Sequence, residues 1–379
     1  MRVLQISSDF ANQRLYDLLV STMAGLGISQ VVYVPVRRQE EMNRNINPNL
    51  VNVEYQYSFI LNKLDRINYF GKIKKTSNDL IDKVDLSSIR ISHAHFLFSD
   101  GGIALALKKN FGIPYIVAVR NTDLNVFFKY LVHLRGVGVK ILQNAEKVIF
   151  LSGDYRNRLL STYVPKGLRT QIFAKSVVIP NGVDDFWLTN RCFRNDCGLK
   201  RNFLYVGNFS KNKNVDILIR SIVNMSKIGK DVHLTLVGGG GNDENRIIKL
   251  CESHADLISY KGKVLDKEKL MSIYRSCNIF VMASSHETFG LVYIEAMSQG
   301  LPIIYTLNEG ISGYFEEGDV GYGVIARNSR EIIEKSDEIF KDWVRFSQNA
   351  VRYSADFSWE RIGQQYLNIY QSSSVVRDE

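Results

Sequence analysis

Two glutamates eight residues apart, Glu287 and Glu295, flank a glycine within residues 284–302, and their types and spacing suit one kind of ligand. An ionised carboxylate only accepts hydrogen bonds, so two of them favour a molecule rich in hydroxyl groups. Between them, Phe289, Gly290, Leu291 and Val292 mark a predicted helix start, whose free amides and positive dipole end attract an anion. Hydroxyls on both sides of a phosphate describe a nucleotide sugar. An isolated pair of glutamates would read instead as an exposed helix residue and a dipole partner. The surroundings favour the ligand.

The elements that must position this stretch can be read around it. Residues 278–283 form an apolar run of strand length, as in a strand buried on both faces of a parallel sheet. A helix of about ten residues follows, roughly 15 Å long, with Gly290 permitting its sharp start and Gly300 with Pro302 stopping it. In open α/β sheets, ligands bind beyond the carboxyl ends of the strands.

The run Glu-Thr-Phe-Gly-Leu-Val-Tyr-Ile-Glu-Ala-Met, followed by Gly-Leu-Pro-Ile-Ile, resembles the Glu-x7-Glu signature of retaining family 4 glycosyltransferases, of bacterial surface-polysaccharide type. The resemblance implies that Glu287 contacts the donor sugar, Glu295 the ribose, and the intervening amides the diphosphate. It covers nearly the whole chain and implies a GT-B fold: two Rossmann-like α/β domains facing each other across a cleft, with a C-terminal helix crossing back to the first. The expected boundaries are 1–182 for an acceptor-binding domain, 183–357 for a nucleotide-sugar-binding domain and 358–379 for the returning helix. Pro180 and Gly182 fit a turn at the link.

Along the chain, residues 2–8, a helical pattern over 12–24 and residues 30–36 make a β-α-β start. A third strand is expected over 51–57. Residues 59–84 mix apolar side chains with Lys63, Arg66, Lys72, Lys74 and Lys75, a pattern open to a core-packing helix with snorkelling lysines or to a segment lying on an anionic bilayer. His93 and His95 share a face of the next strand, with no obvious third ligand for a metal. A histidine packed at a strand end is the commoner outcome, and His95 is also a candidate on the acceptor side. Residues 115–119 form a strand ending in Arg120-Asn121-Thr122-Asp123, well placed for phosphate and hydroxyl contacts. Relatives carry His-Gly-Thr-Asp or His-Gly-Ser-Asp there, so the histidine's role does not transfer directly to Arg120, a candidate for stabilising the leaving group beside Asn121 and Asp123.

The second half restarts with the strand ending at Gly207. Relatives often have arginine where Asn208 stands and lysine where Lys213 stands, both on the donor diphosphate. A lysine at a helix start opposes the dipole, and a bound anion explains it. The strand and glycine loop at 234–242, with Gly239, lacks G-x-G-x-x-G spacing, against a nicotinamide dehydrogenase. A strand over 258–264, a helix over 267–275, a strand over 303–306, a polar loop over 308–315 and a terminal helix over 357–370 complete the pattern.

Composition narrows the classes. No apolar run reaches the 18 residues of a membrane span, and the sequence starts as a strand rather than a secretion signal, which suggests a cytoplasmic protein, peripheral on the inner face of the plasma membrane. Four irregularly spaced cysteines favour reduced thiols. Residues 1–182 carry a net charge of +11 and the remainder −2, so the first half suits an anionic partner; without an arginine-rich block or RNA motif, a membrane surface ranks above nucleic acid. No Asp-x-Asp is present, and no metal or other cofactor is expected. The expected activity is sugar transfer from a nucleotide-sugar donor to a glycan or lipid-diphosphate-linked acceptor. A nucleotide-sugar epimerase and a non-catalytic carbohydrate or nucleotide-binding scaffold are the alternatives.

Overall fold

Val3 and Leu4 point to opposite faces of the first strand, and both are wholly buried. A strand apolar on both faces needs cover on both sides, which parallel sheets with crossover helices provide. In the computed structural model, which describes residues 1–198 and 200–374, β1 (Arg2–Ile6), β2 (Ser29–Val36), β3 (Val53–Phe59), β4 (Ile91–Ala94), β5 (Tyr115–Val119), β6 (Lys147–Phe150) and β7 (Ser176–Val178) form one sheet. Its order is β3-β2-β1-β4-β5-β6-β7, and every pairing is parallel.

Val3, Ile91, Ile116 and Ile149 on one face of this sheet pack with Leu19 and Met23 of the helix Arg14–Gly25 and with Trp359, Ile362 and Tyr370 of the C-terminal helix Trp359–Ser374. The two helices lie close because Gly363 has no side chain; a Cβ there would come 2.4 Å from Thr22 Cγ2. A buried polar cluster fixes the terminal helix. Gln5 Nε2 donates to Gln30 Oε1 and lies 3.1 Å from the Tyr370 hydroxyl, which is also 2.8 Å from His93 Nδ1. The returning helix therefore belongs with the first sheet, as expected; residues 375–379 of the expected segment lie outside the described residues.

Residues 182–358 form the second unit. Here β8 (Arg201–Gly207), β9 (Val232–Gly238), β10 (Ile258–Tyr260), β11 (Ile279–Val281), β12 (Ile303–Thr306) and β13 (Gly321–Val324) run in the order β10-β9-β8-β11-β12-β13, again all parallel. This is a Rossmann-type order, with its topological switch between β8 and β11. β8 and β9 approach so closely at their carboxyl ends that a Cβ on Gly238, whose φ is +126°, would sit 1.9 Å from the Gly207 carbonyl oxygen.

Several elements are shorter than the sequence predicts. β10 stops at Tyr260 because Gly262, at φ +66°, turns the chain. The helix after Gly290 spans only Leu291–Ser298, closed by Gly300 at φ +77°. Over residues 59–84, the chain makes the helix Tyr69–Lys83, with Tyr69, Lys72, Thr76 and Leu80 buried. The core-packing reading therefore holds for this helix, and the five basic residues are not one open patch. Lys72 Nζ donates to Ser99 Oγ at 2.9 Å, and Lys75 pairs with Asp65 at 2.7 Å. Lys63, Arg66 and Lys74 remain exposed. No helix among the described residues is long and apolar enough to cross a membrane.

Candidate functional site

The loops leaving β8 and β11 are stitched together by two asparagines. Asn212 Nδ2 donates to His286 O at 2.8 Å, its Oδ1 accepts from His286 N at 3.1 Å, and its carbonyl accepts from Ser285 N at 2.7 Å. Asn214, in the left-handed region at φ +51°, donates to Ala283 O at 2.9 Å and to Ser285 Oγ at 3.0 Å. This stitching brings Lys213 Nζ to 2.6 Å from Glu287 Oε2, with the two side chains only 17% and 13% exposed. The other Glu287 oxygen accepts from Thr288 N at 3.0 Å. A cation and an anion, both largely out of water, thus stand at the switch point of the second sheet.

Glu309 supports this pair from the loop after β12, and sequence spacing gave no sign of it. Its carboxylate accepts from Glu287 N at 3.0 Å and lies 3.2 Å from His286 Nδ1. Gly310 N donates to Glu287 O at 2.8 Å, closing the loop around Glu287.

Beside the pair, Gly290 turns the chain into the helix Leu291–Ser298 at φ +84°; a Cβ there would meet the Tyr293 ring at 2.7 Å. No side chain caps this helix, so the turn at Leu291 and Val292 offers amides to an anion. The Phe289 ring is buried against Tyr314 and Phe357, so only its backbone is left to face a ligand. Glu295 lies one turn into the helix and accepts from the Tyr274 hydroxyl at 3.1 Å. Burial pushes the Glu295 carboxyl up to about 7, the Tyr274 hydrogen bond and Lys267 opposing the shift and Asp184 adding to it. Among the glycines, Gly207 and Gly239 leave the strand ends bare, and a Cβ on Gly239 would crowd Glu244 Oε1 at 2.7 Å. Asn208 is exposed, and its carbonyl accepts from the Tyr205 hydroxyl at 2.7 Å.

The residues expected on the acceptor side gather in the first unit, and three are more enclosed than their motif suggests. His95 is wholly buried, its Nε2 2.9 Å from Gln5 Oε1 and its ring tilted by 32° against that of His93, with centroids 4.1 Å apart. Burial, with His93 and Arg120 adding, keeps His95 neutral well below the ordinary histidine value. The ring is a core group, so no acceptor hydroxyl reaches it. Asp123 is also internal; it accepts from the amides of Arg120, Leu97 and Phe98 at 2.8, 3.0 and 3.1 Å and so clamps two loops. Arg120 is 7% exposed, donating to His95 O at 3.2 Å and Asn181 Oδ1 at 3.3 Å and lying over the Tyr16 ring. Asn121, half-buried, accepts from Asn125. Among the described residues, no group of three or more His, Cys, Asp or Glu side chains is arranged to hold a metal ion.

Residues 198–356 match the family model of glycosyl transferases group 1. An uncharacterized glycosyltransferase of Methanocaldococcus jannaschii is 26% identical over 83% of this chain and 83% of its own length. This chain is a glycosyltransferase. It is a nucleotide-sugar-dependent, retaining enzyme with the GT-B fold. Solved structures are similar over almost all of the transferase: sucrose-phosphate synthase from Thermosynechococcus elongatus has a TM-score of 0.75 at 19% identity, covering 98% of both chains. Anabaena HepE in complex with UDP-glucose has a TM-score of 0.68 at 16% identity, covering 98% of this chain and 100% of that one.

Proposed function

We propose that the transferase moves a sugar onto a hydroxyl of a glycan acceptor carried on a lipid diphosphate, in the synthesis of a surface polysaccharide such as a capsule, O-antigen or exopolysaccharide. The observation that carries the donor half of this reading is the Lys213–Glu287 pair beside an uncapped helix start. Lys213 and the amides of Leu291 and Val292 hold the donor diphosphate and stabilise the charge that develops as it leaves. Glu287 faces the donor sugar, and Glu295 accepts from the ribose hydroxyls. Gly207, Asn208 and Gly239 shape the strand ends near the nucleotide, and Arg120 with Asn121 serves the reaction from the first unit.

In the reaction, the bond from the anomeric carbon to the phosphate oxygen breaks, and its electron pair leaves with the nucleoside diphosphate. The acceptor oxygen bonds to the same face of that carbon, and its proton passes to the departing phosphate. No metal is required. Retention on this route needs no enzyme nucleophile, and none is assigned.

The lipid-linked acceptor rests on the +11 charge of residues 1–182 and on an apolar surface within it. Leu64, Ile67 and Phe70 are 72%, 84% and 64% exposed, with Lys63, Arg66 and Lys74 exposed around them. Three such cations are worth about 3 kcal/mol near an anionic surface. The enzyme docks there reversibly, as a cytoplasmic protein peripheral on the inner face of the plasma membrane. Flotation with vesicles of graded anionic lipid content, at low and high salt, tests this for the native protein and for the variant Leu64→Ser, Ile67→Ser, Phe70→Ser. The expected result is recovery of the native protein at low salt and loss of the variant. Equal recovery would overturn the membrane reading. Transfer to a lipid-diphosphate-linked acceptor, set beside soluble sugars under one donor panel, tests the acceptor; transfer confined to soluble sugars would remove the lipid.

A further inference from the structure

Chain leaving β1 and β2 at their carboxyl ends opens onto a cavity of about 760 Å3 in the first unit, walled by apolar Pro35, Phe59 and Leu61 and rimmed by Arg37, Lys63 and Arg66. A second cavity of about 420 Å3 shares Arg37 and Arg66 and reaches the buried Lys72. We infer that this basic trough is a phosphate-ester site, which receives an anionic phosphate carried by the acceptor.

The charges there are unequal in their commitments. Arg38 is taken by Glu41, at 2.8 Å, and by Glu40 at 3.3 Å. Glu41 is also satisfied by the amides of Arg37 and Arg38 at 3.1 and 3.2 Å. Asp65 is held by Lys75 at 2.7 Å and by Asn62 N at 2.7 Å. Asp9, the remaining acid on the wall, accepts from the side chains of Asn12, at 3.1 Å, and Gln13. The acids of the trough thus have partners.

Arg37 is different. Its Nε is buried and has no hydrogen-bond partner, which is costly for a guanidinium. Burial, and after it the like charge of Arg66, lowers its pKa, with Asp65 and Glu41 opposing. An anion between the two guanidiniums would supply the missing acceptor and relieve their repulsion. Phosphate fits best, because its oxygens match the fork of an arginine, and Lys63 adds a third cation. The apolar wall then suits the carbon skeleton that carries the phosphate.

This rests on the transferase reading only in calling the ligand an acceptor; the anion site itself stands on the cavity. Both sources of a phosphate ester, a soluble sugar phosphate and a lipid, carry the same chemistry, and separate arms of one experiment distinguish them. Glucose 6-phosphate is titrated calorimetrically into the native protein and into the double variant Arg37→Gln, Arg66→Gln, with glucose as the uncharged control and UDP as the check on the donor site. Vesicles of phosphatidylcholine with and without phosphatidic acid form the lipid arm. Binding of glucose 6-phosphate but not glucose, weakened about tenfold or more in the variant while UDP affinity stays unchanged, supports a soluble ester. Binding confined to phosphatidic acid vesicles, and lost also in Arg37→Gln alone, which leaves the exposed Lys63, Arg66 and Lys74 in place, supports a lipid-borne one. Neither probe binding, or both proteins binding alike, overturns the site. UDP failing to bind either protein would strike the transferase reading instead. A Lys63→Gln variant provides a second, surface-located perturbation with the same expected direction, should the double variant not fold.

Discussion

Lys213 and Glu287 stand 74 positions apart in sequence and 2.6 Å apart in the fold, so removing either leaves the other largely buried and unpaired. Under the roles proposed here, the two losses differ. Lys213→Ala should weaken nucleoside diphosphate binding by about 1.5–3 kcal/mol, roughly 10- to 100-fold, as calorimetry would read. Glu287→Gln keeps the shape and frees the lysine for the diphosphate. Turnover should fall by about 100-fold or more, with diphosphate affinity equal or higher. Glu295 carries a pH signature. Its folded pKa of about 7 lies above the ordinary glutamate value of 4.5, so the folded state holds a proton that the unfolded chain releases between those limits. Stability from this group is present below 4.5 and falls as pH rises through 7. Ionised, the carboxylate accepts from both ribose hydroxyls, so donor affinity should fall as pH drops below about 7, beyond the titration of the diphosphate itself. Glu295→Gln should show weaker binding with that extra dependence gone; identical pH profiles for the two proteins would count against the ribose role.

At the scale of elements, local chemistry was the legible part. Gly290, Gly300 and Pro302 announce the start and stop of one helix because each acts through its own backbone, and the apolar run at 278–283 announces β11. Gly290→Ala would place a Cβ 2.7 Å from the Tyr293 ring at φ +84°. It should destabilise the protein by about 1 kcal/mol or more, seen as a lower Tm, and weaken diphosphate binding by misdirecting the amides. Unchanged melting and binding would show that the turn tolerates a side chain. What the sequence hid were partners contributed by distant elements. Glu309 under Glu287, Tyr274 on Glu295 and the asparagine stitches depend on which strand follows which in space, and no spacing encodes that. His95 shows the converse. The sequence offered both a histidine packed at a strand end and an acceptor-side role, and Gln5 from β1 with the Tyr16 ring from the helix Arg14–Gly25 encloses it from elsewhere in the chain.

At the scale of the whole molecule, the two-sheet fold was readable because β-α alternation repeats in each half, and the terminal helix joins the first sheet through Tyr370 and Gly363. The basic segment at 59–84 was harder, because a helix that buries Lys72 and pairs Lys75 looks in sequence like one that exposes both. The central claim concerns the transferase as an intact enzyme: a nucleotide sugar is held by Lys213, Glu287, Glu295 and a helix start, and reacts without a metal. The most direct test follows a panel of nucleotide sugars with a lipid-diphosphate-linked acceptor in excess chelator, reading the anomeric proton of the product by NMR. The expected result is transfer from one donor with the anomeric configuration retained, undiminished by the chelator and abolished by Glu287→Gln. A product of inverted configuration, or activity restored only by magnesium or manganese, would contradict the claim.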